Sequence, residues 1–234
     1  MTWDVLPTRR AGAAENMAAD FLMLQRYPHE ERVRFRHYGW TEPAFTFGYS
    51  QKWEFVQTQL PEGRLDVCRR ATGGGLVDHR DDWTFALVIP RGHPLEDMRA
   101  TQSYRAVHEA LAQALRQGGV PAEVNQTTEP KADALPAGVC FQRAELYDVI
   151  LPGGRKVAGA AQKRAKRGLL FQGSIARAAA GPSVDWEKFE ESFLSSLSAL
   201  LGAEAQRCPW PEWAEGELDG LSEQYRSEEW LRFR

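Results

Sequence analysis

Residues 69–75 read RRATGGG and form the first segment whose residue types could bind a substrate. Three successive glycines let a backbone approach a ligand closely and expose its N–H groups, and paired arginines can bind a carboxylate or a phosphate. The spacing matches neither the dinucleotide-binding nor the P-loop pattern, so a flexible hairpin turn with solvated arginines remains an alternative. The candidate substrate-binding residues of this segment are Arg69, Arg70, Thr72, Gly73, Gly74 and Gly75.

A histidine four residues further along the chain is a second candidate. His79 lies within the charged segment DHRDD, residues 78–82. An imidazole titrates near neutral pH, so it can act as a general base or donate a hydrogen bond into a pocket. A hydrogen-bonded loop histidine without a catalytic role is the simpler interpretation of this residue taken alone.

A cysteine at the end of a long polar segment is a candidate nucleophile. Cys140 follows residues 125–138, which are polar and contain two prolines. An ordinary thiol with a pKa near 8.5 is only about 3% ionised at neutral pH, so lowering that pKa to ~7 requires about 2 kcal/mol of stabilisation from a cation or from N–H groups. The alternative is a small buried apolar residue. Three cysteines without a C-x-x-C pair indicate neither a disulfide framework nor a zinc site, and we expect Cys68 and Cys208 to be structural.

The segment RKVAGAAQ, residues 155–162, combines a lysine with a run of small residues. Small side chains along a strand leave a narrow channel on the sheet face, wide enough for a thin acyl chain. Lys156 leads into this run, and an ammonium there can bind a carbonyl or phosphate oxygen. Only six of the 29 basic residues are lysine, which sets Lys156 apart from an ordinary surface charge. Lys156, Gly159 and Ala161 are therefore candidate site residues, and a weakly packed edge strand with an exposed lysine is the alternative.

Alternating helical and extended patterns predict one α+β domain over residues 1–234. Helical periodicity predicts helices over residues 12–26, 101–117, 185–201 and 218–233. Apolar stretches predict strands over residues 33–38, 44–49, 65–67, 83–89, 121–124, 146–151, 156–162 and 169–175. The hairpins among the later strands favour a mixed, mainly antiparallel sheet flanked by helices.

The composition excludes several classes of protein. With 29 basic and 32 acidic residues the net charge is −3, whereas dedicated nucleic-acid binding needs a positive surplus. No stretch of about 18 apolar residues indicates a membrane span, and Arg9 and Arg10 interrupt any signal-peptide core. We therefore expect a cytoplasmic protein that binds neither nucleic acid nor a membrane.

Two motifs, in this order and at this separation, resemble a known superfamily. RRATGGGLVDH is similar to the element R-R-x-[ST]-G-G-G/R-x-V-x-H of the lipoate–protein ligases and octanoyltransferases. RKVAGAAQKR followed by LLFQGSI is similar to their G-[RK]-K-[IV]-x-G-[SA]-A-Q-x-R … L-x-[HQ]-G-[ST]-[IL] element. The resemblance covers about residues 12 to 177 and includes Asn16 to Ala18 and the segment FTFGYSQ. It implies the fold of the biotin/lipoate protein ligase catalytic domain.

Within this superfamily, two features resemble the transferases more than the ATP-dependent ligases. Cys140 and Phe141 stand where cysteine-dependent octanoyltransferases carry C-F, and the run RDDWTFAL after His79 is closer to the transferase pattern. The chain also ends about 60 residues after the second motif, too short for the usual accessory domain of a ligase. The resemblance then implies Cys140 as the nucleophile and Lys156 as the motif lysine that stabilises an oxyanion or the thiolate.

The same resemblance implies partners for this activity and leaves alternative activities open. A transferase would take octanoate from acyl carrier protein, place it on a lysine of a lipoyl-domain protein such as the glycine cleavage H protein, and need no cofactor. The alternatives are a lipoate ligase that uses ATP and Mg²⁺, an amidotransferase that moves an octanoyl or lipoyl group between lipoyl domains, and a catalytically silent lipoyl-domain binder. The chain departs from the family pattern where Phe171-Gln172-Gly173 replaces L-Q-H-G, where Ala86 replaces Ser, and in a longer turn at residues 152–154.

Overall fold

The structure is a computed structural model that describes residues 2–127 and 144–233. Within these residues eleven strands form two sheets. The strands are β1 (Thr2–Ala11), β2 (Arg34–Trp40), β3 (Ala44–Phe47), β4 (Asp66–Arg69), β5 (Val77–Asp78), β6 (Asp82–Pro90), β7 (Glu123–Val124), β8 (Val149–Ile150), β9 (Lys156–Ala165), β10 (Gly168–Ala176) and β11 (Glu204–Arg207). The helices are α1 (Ala13–Gln25), α2 (Trp53–Gln57), α3 (Pro94–Asp97), α4 (Ala100–Gln117), α5 (Arg177–Ala180), α6 (Trp186–Leu201), α7 (Glu217–Arg226) and α8 (Glu228–Leu231).

The larger sheet has the strand order β11-β1-β2-β6-β10-β9-β8-β7. Strand β1 pairs in parallel with β2 and with β11, and the remaining five pairs are antiparallel. A parallel pair needs a crossover connection, and α1 supplies it between β1 and β2. The smaller sheet has the order β4-β3-β5. The predicted α+β class with a mixed, mainly antiparallel sheet flanked by helices is confirmed.

Alternate residues of the central strand β6 face two different cores. Phe85 and Leu87 lie in a core with α4 and α6, where the rings of Phe85 and Phe193 are 5.3 Å apart. Ala86 and Val88 lie in a second core with α1 and α7. Because successive residues of a strand point to opposite faces, α4 and α6 cover one face of the larger sheet and α1 covers the other.

The predicted helices over residues 12–26, 101–117 and 185–201 are confirmed, but the predicted helix over 218–233 is divided at Ser227 into α7 and α8. The predicted strand over 146–151 is wrong in length. Only Val149–Ile150 pairs, because Tyr147 has a φ of 67°, a left-handed conformation that no strand accommodates.

Strand β1 has no clear signal in the sequence. Pro7 and two arginines interrupt its apolar alternation, and the register shifts between Leu6 and Arg9. Proline is tolerated at such a bulge. The strand is stabilised by its two neighbours, β2 and β11, which only the tertiary structure reveals.

Candidate active site

One row of cross-strand neighbours forms part of the wall of a pocket. Tyr38, Thr84, Ser174 and Gly159 are direct partners across β2, β6, β10 and β9. Directly opposite residues point to the same face of a sheet, and all four line the pocket. Since neighbouring strands lie about 4.8 Å apart, the row is about 14 Å long.

The pocket lies between this face of the larger sheet, α1 and the smaller sheet. Thr46 of β3, Val77 of β5 and Met17 of α1 line it together with the row. The space between these elements, counted together with its opening to solvent, is about 490 Å³. Ala160 and Ala161 also line it, so the run of small residues borders a pocket as the sequence indicated.

The glycine segment after β4 contributes Gly74 to the pocket wall. Gly74 has a φ of 89°, and a Cβ on Gly48 would lie 1.9 Å from the Gly74 carbonyl oxygen, so both positions require glycine. Arg70 is buried and lines the pocket, and its guanidinium donates to the carbonyls of Gly73 at 2.8 Å and Gly75 at 2.7 Å. These bonds hold the segment in place, in contrast to a flexible turn with solvated arginines.

Arg69 has a different role from the substrate binding predicted for it. Its guanidinium is completely buried and donates to four backbone carbonyls, those of Tyr49, Gln51, Trp230 and Leu231. The residue does not line the pocket. A planar guanidinium with five donors suits the joining of several chain segments, so Arg69 connects the loop after β3 to α8.

His79 lines the pocket and is also fixed by hydrogen bonds. Its Nε2 lies 2.7 Å from Thr46 Oγ1, and its Nδ1 lies 2.6 Å from Asp82 Oδ2. Ser174 donates to the same Asp82 oxygen, and Trp40 stacks on the imidazole at 4.2 Å. Burial alone would raise the pKa of Asp82, but His79 and the hydroxyl donors outweigh burial and hold that pKa below its usual value. His79 is thus a hydrogen-bonded histidine that also lines the pocket, and its role as a base or a donor stays a prediction.

A buried polar network lies beside the glycine segment. Thr72 Oγ1 donates to Gln172 Oε1 at 2.7 Å, and Gln172 Nε2 donates to Asp20 Oδ2 at 2.7 Å. Asp20 also forms an ion pair with Arg36 at 2.6 Å and accepts from the Tyr38 hydroxyl at 3.1 Å. Burial and the neighbouring carboxylate raise the pKa of Tyr38, so its hydroxyl stays protonated and donates. Gln172 thus joins the glycine segment to α1 at the position where the family pattern carries L-Q-H-G.

Lys156 brings a cation to the pocket. It is 9% exposed, and its Nζ lies 2.7 Å from Asp148 Oδ2. A Cβ on Gly159 would lie 2.7 Å from Lys156 Nζ. The ammonium therefore rests directly over the glycine position of β9, on the pocket wall. The alternative interpretation, an exposed lysine on an edge strand, is wrong, because Lys156 is buried and β9 lies between β10 and β8.

Two of the three cysteines, Cys68 and Cys208, belong to the described residues. Cys68 is completely buried, and burial raises the pKa of its thiol. Burial likewise raises the pKa of Cys208, which accepts or donates a hydrogen bond with Tyr27. Neither thiol lines the pocket, as expected of structural residues. Cys140, the predicted nucleophile, lies outside the described residues.

The structure brings six of the predicted site residues to the pocket: Arg70, Gly74, His79, Lys156, Gly159 and Ala161. Thr72, Gly73 and Gly75 belong to the adjoining segment, and only Arg69 of the described set is elsewhere. The sequence interpretation missed Tyr38, Thr46, Gln172 and Ser174 as pocket residues, because strand register decides which polar side chains share a face. In residues 2–127 and 144–233 no group of three or more His, Cys, Asp or Glu could hold a metal ion.

Known proteins share this fold and sequence pattern. The family model of the lipoyl protein ligase A/B catalytic domain matches residues 12–197. Octanoyltransferase LipM of Exiguobacterium sp. is 33% identical over 74% of this chain and 65% of its own length, and that of Bacillus subtilis is 34% identical over the same shares. A bi-partite lipoate protein ligase from Thermoplasma acidophilum superposes with a TM-score of 0.71 at 20% identity, covering 99% of this chain and 96% of its own.

The family match and the shared fold place this chain in the lipoate ligase and octanoyltransferase superfamily. The chain belongs to the lipoyl protein ligase A/B catalytic domain family. It spans just under two thirds of the length of the two LipM relatives. Each helix in residues 2–127 and 144–233 is too short or too polar to span a bilayer.

Proposed function

We propose that this chain transfers an octanoyl group from a carrier-protein thioester to a lysine of a lipoyl domain, through a thioester on Cys140. The observation that carries the proposal is the position of Lys156 over Gly159, on the wall of a pocket bordered by Ala160 and Ala161. Small residues leave room for a thin acyl chain. An ammonium beside it can stabilise the negative charge that develops on a carbonyl oxygen during acyl transfer.

The relatives support the acyl group and the class of acceptor. Both LipM relatives are named octanoyltransferases, which supports octanoyl as the group that is moved. The ligase of T. acidophilum is described together with its E2 lipoyl domain, which supports a lipoyl domain as the acceptor. Acyl carrier protein is the proposed donor, because its thioester is already activated for attack by a nucleophile.

The proposed reaction has two acyl-transfer steps. The Cys140 thiolate attacks the donor carbonyl and a new C–S bond forms. The C–S bond to the carrier breaks, and the carrier sulfur takes up the proton that Cys140 released on becoming a thiolate. The lysine amine of the acceptor then attacks the Cys140 thioester; a C–N bond forms, the C–S bond breaks, and the amine proton passes to the Cys140 sulfur. The thioester energy is sufficient, so the proposal includes no ATP and no metal. A reactive thiol requires a reducing compartment, and we place the reaction in the cytoplasm.

The described residues around the pocket have distinct parts in these steps. Lys156 would stabilise the oxyanion of each tetrahedral intermediate. Arg70 fixes the glycine segment that borders the acyl chain, through its bonds to Gly73 and Gly75. His79, held between Thr46 and Asp82, gives the pocket a wall of fixed shape.

A transfer assay tests the proposal. The protein is mixed with octanoyl–acyl carrier protein and a lipoyl domain without ATP, and the mass of the lipoyl domain is measured. We expect an increase of one octanoyl unit, and none in a lipoyl domain whose acceptor lysine is replaced by arginine. Modification only with ATP, Mg²⁺ and a free acid would identify a ligase and overturn the proposal, as would modification with another octanoylated lipoyl domain alone.

A matched pair of lysine variants locates the activity. Lys156→Met removes the buried ammonium, and we expect a loss of about 10²- to 10³-fold in the transfer rate, as for removal of one oxyanion donor. Lys188→Met removes an ammonium whose side chain is 80% exposed on α6, and we expect no change. Equal activity of both variants would contradict the role of Lys156.

A further inference from the structure

We propose that Tyr104 and Asp148 are positioning residues that fix the Lys156 ammonium for acyl transfer. The inference rests on the proposed function and goes beyond it, because it assigns a role to two residues that do not line the pocket. One residue comes from α4 and the other from the turn before β8. Their side chains meet in a hydrogen bond, and the carboxylate contacts the lysine.

Asp148 has both carboxylate oxygens engaged. Its Oδ2 lies 2.7 Å from Lys156 Nζ and accepts the backbone N–H of Glu145 at 2.7 Å. Its Oδ1 accepts the hydroxyl of Tyr104 at 2.5 Å. The side chain is 1% exposed. A carboxylate so enclosed is costly to bury unless it is paired, and its partners aim it at the lysine and away from solvent.

Tyr104 connects this carboxylate to strand β9. Its hydroxyl donates to Asp148 and accepts the backbone N–H of Ala160 at 3.1 Å. Strand β8 pairs with β9 only at Lys156 and Ala158, so the Ala160 N–H lies beyond the end of β8. The hydroxyl takes the place of a ladder acceptor there. The distance between the carboxylate and the strand that carries the lysine is thereby fixed.

The turn that presents Asp148 is held in an uncommon conformation. Tyr147 has a φ of 67°, a left-handed value that costs free energy for a residue with a side chain. His108, one helical turn after Tyr104 on α4, lies 2.8 Å through Nδ1 from the Tyr147 carbonyl. Residues four apart lie on the same face of a helix, and the rings of Tyr104 and His108 are 4.0 Å apart. One face of α4 therefore secures both the turn and its carboxylate.

The Lys156 side chain has little room to move away from Asp148. A Cβ on Gly159 would lie 2.7 Å from Lys156 Cε and Nζ, and 2.9 Å from Asp148 Oδ1. The ion pair is packed against the strand at the one residue without a side chain. Oxyanion stabilisation depends on donors that are oriented before the reaction, since reorientation would consume the energy gained. Tyr104 and Asp148 supply that orientation without touching substrate.

Two variants and a control test this inference in the transfer assay. Tyr104→Phe removes one hydroxyl from a partly buried ring, and we expect kcat to fall about tenfold with an unchanged KM for the octanoyl donor, since the loss falls on the transition state. Asp148→Asn keeps the shape but removes the charge, and we expect a fall of about 100-fold. Gln113→Ala changes an exposed residue of α4 and is expected to have no effect.

The results separate this inference from the proposed function. If the wild-type protein shows no transfer from any octanoyl donor, the proposed function fails. If the wild-type protein is active and both Tyr104→Phe and Asp148→Asn keep its kcat, the positioning role is refuted. Tyr104→Phe alone decides the matter if Asp148→Asn does not fold, because a Phe ring occupies the same space. A raised KM with unchanged kcat would also refute positioning, since it would assign these residues to ground-state binding.

Discussion

His108 gives the fold a defined sensitivity to acid. It is completely buried on α4, and burial lowers its pKa to about 4, although Asp148 and the Tyr147 carbonyl act in the opposite direction. A carbonyl can only accept, so Nδ1 carries the proton and donates to Tyr147. Nε2 is then unprotonated and buried, and has no hydrogen-bond partner among the described residues. Protonation of Nε2 would place a charge in this enclosed site.

The size of the effect follows from the two pKa values. An imidazole in the unfolded chain has a pKa near 6.5, against about 4 for His108 in the folded protein. The unfolded state therefore binds the proton first as the pH falls, and stability is lost between pH ~6.5 and ~4. A difference of that size corresponds to about 2 kcal/mol lost at pH 5 and roughly 3 kcal/mol at pH 4, at 1.36 kcal/mol per unit.

The assay compares the wild-type protein with His108→Asn by urea denaturation at pH 8, 6 and 5. The asparagine amide can donate to the Tyr147 carbonyl but does not titrate. Other ionisable groups contribute equally to both proteins and cancel in the difference. We expect the wild-type protein to lose about 2 kcal/mol more than the variant between pH 8 and pH 5. Parallel curves for the two proteins would refute the burial argument.

Three further variants test individual packing and hydrogen-bonding claims by thermal or urea unfolding. Gly173→Ala should destabilise the fold by about 1–3 kcal/mol by overpacking, because its Cβ would lie 2.2 Å from the buried ring of Phe85; an unchanged midpoint would contradict that contact. Gly220→Ala should stabilise the fold by about 0.5–1 kcal/mol, because the residue lies within α7 and its Cβ would meet open space. A loss of stability would show that the position does not behave as a helix interior. Arg69→Gln should lower the free energy of unfolding by about 3 kcal/mol, because buried carbonyls lose their donor. The KM for the octanoyl donor should stay constant. A raised KM with unchanged stability would indicate that Arg69 binds substrate.

Much of the fold could be predicted from the sequence where a periodic signal is strong. Helix α4 and strand β6 have continuous helical or apolar patterns, and both formed within a residue or two of the predicted bounds. Strand β1 could not be predicted. One of its parallel partners, β11, lies about 200 residues further along the chain. Short-range patterns carry no information about such a partner.

The candidate site was predicted in its residue types but not in its arrangement. Gly159 was chosen for its small size, and the structure gives the reason, the Lys156 side chain lying over it. Arg69 and Arg70 were treated alike, yet only Arg70 lines the pocket. Arg69 is the last residue of β4, and its guanidinium binds backbone carbonyls of two other segments that are distant in the sequence. Asp148 followed a tyrosine in the sequence without any sign of its ion pair. Ion pairs across a hairpin depend on the register and the turn, and the short strand β8 has too little alternation to reveal its register in advance.

The thioester on Cys140 is the central claim of the proposed mechanism, and mass spectrometry of the intact protein tests it most directly. After mixing with octanoyl–acyl carrier protein in the absence of an acceptor, we expect a mass increase of one octanoyl unit that maps to the peptide containing Cys140. Neutral hydroxylamine cleaves thioesters, so it should remove the increase from the wild-type protein. The increase should be absent in Cys140→Ala and should persist in Cys208→Ser. An unmodified wild-type protein that still transfers octanoate to a lipoyl domain, or full transfer activity in Cys140→Ala, would contradict the covalent route.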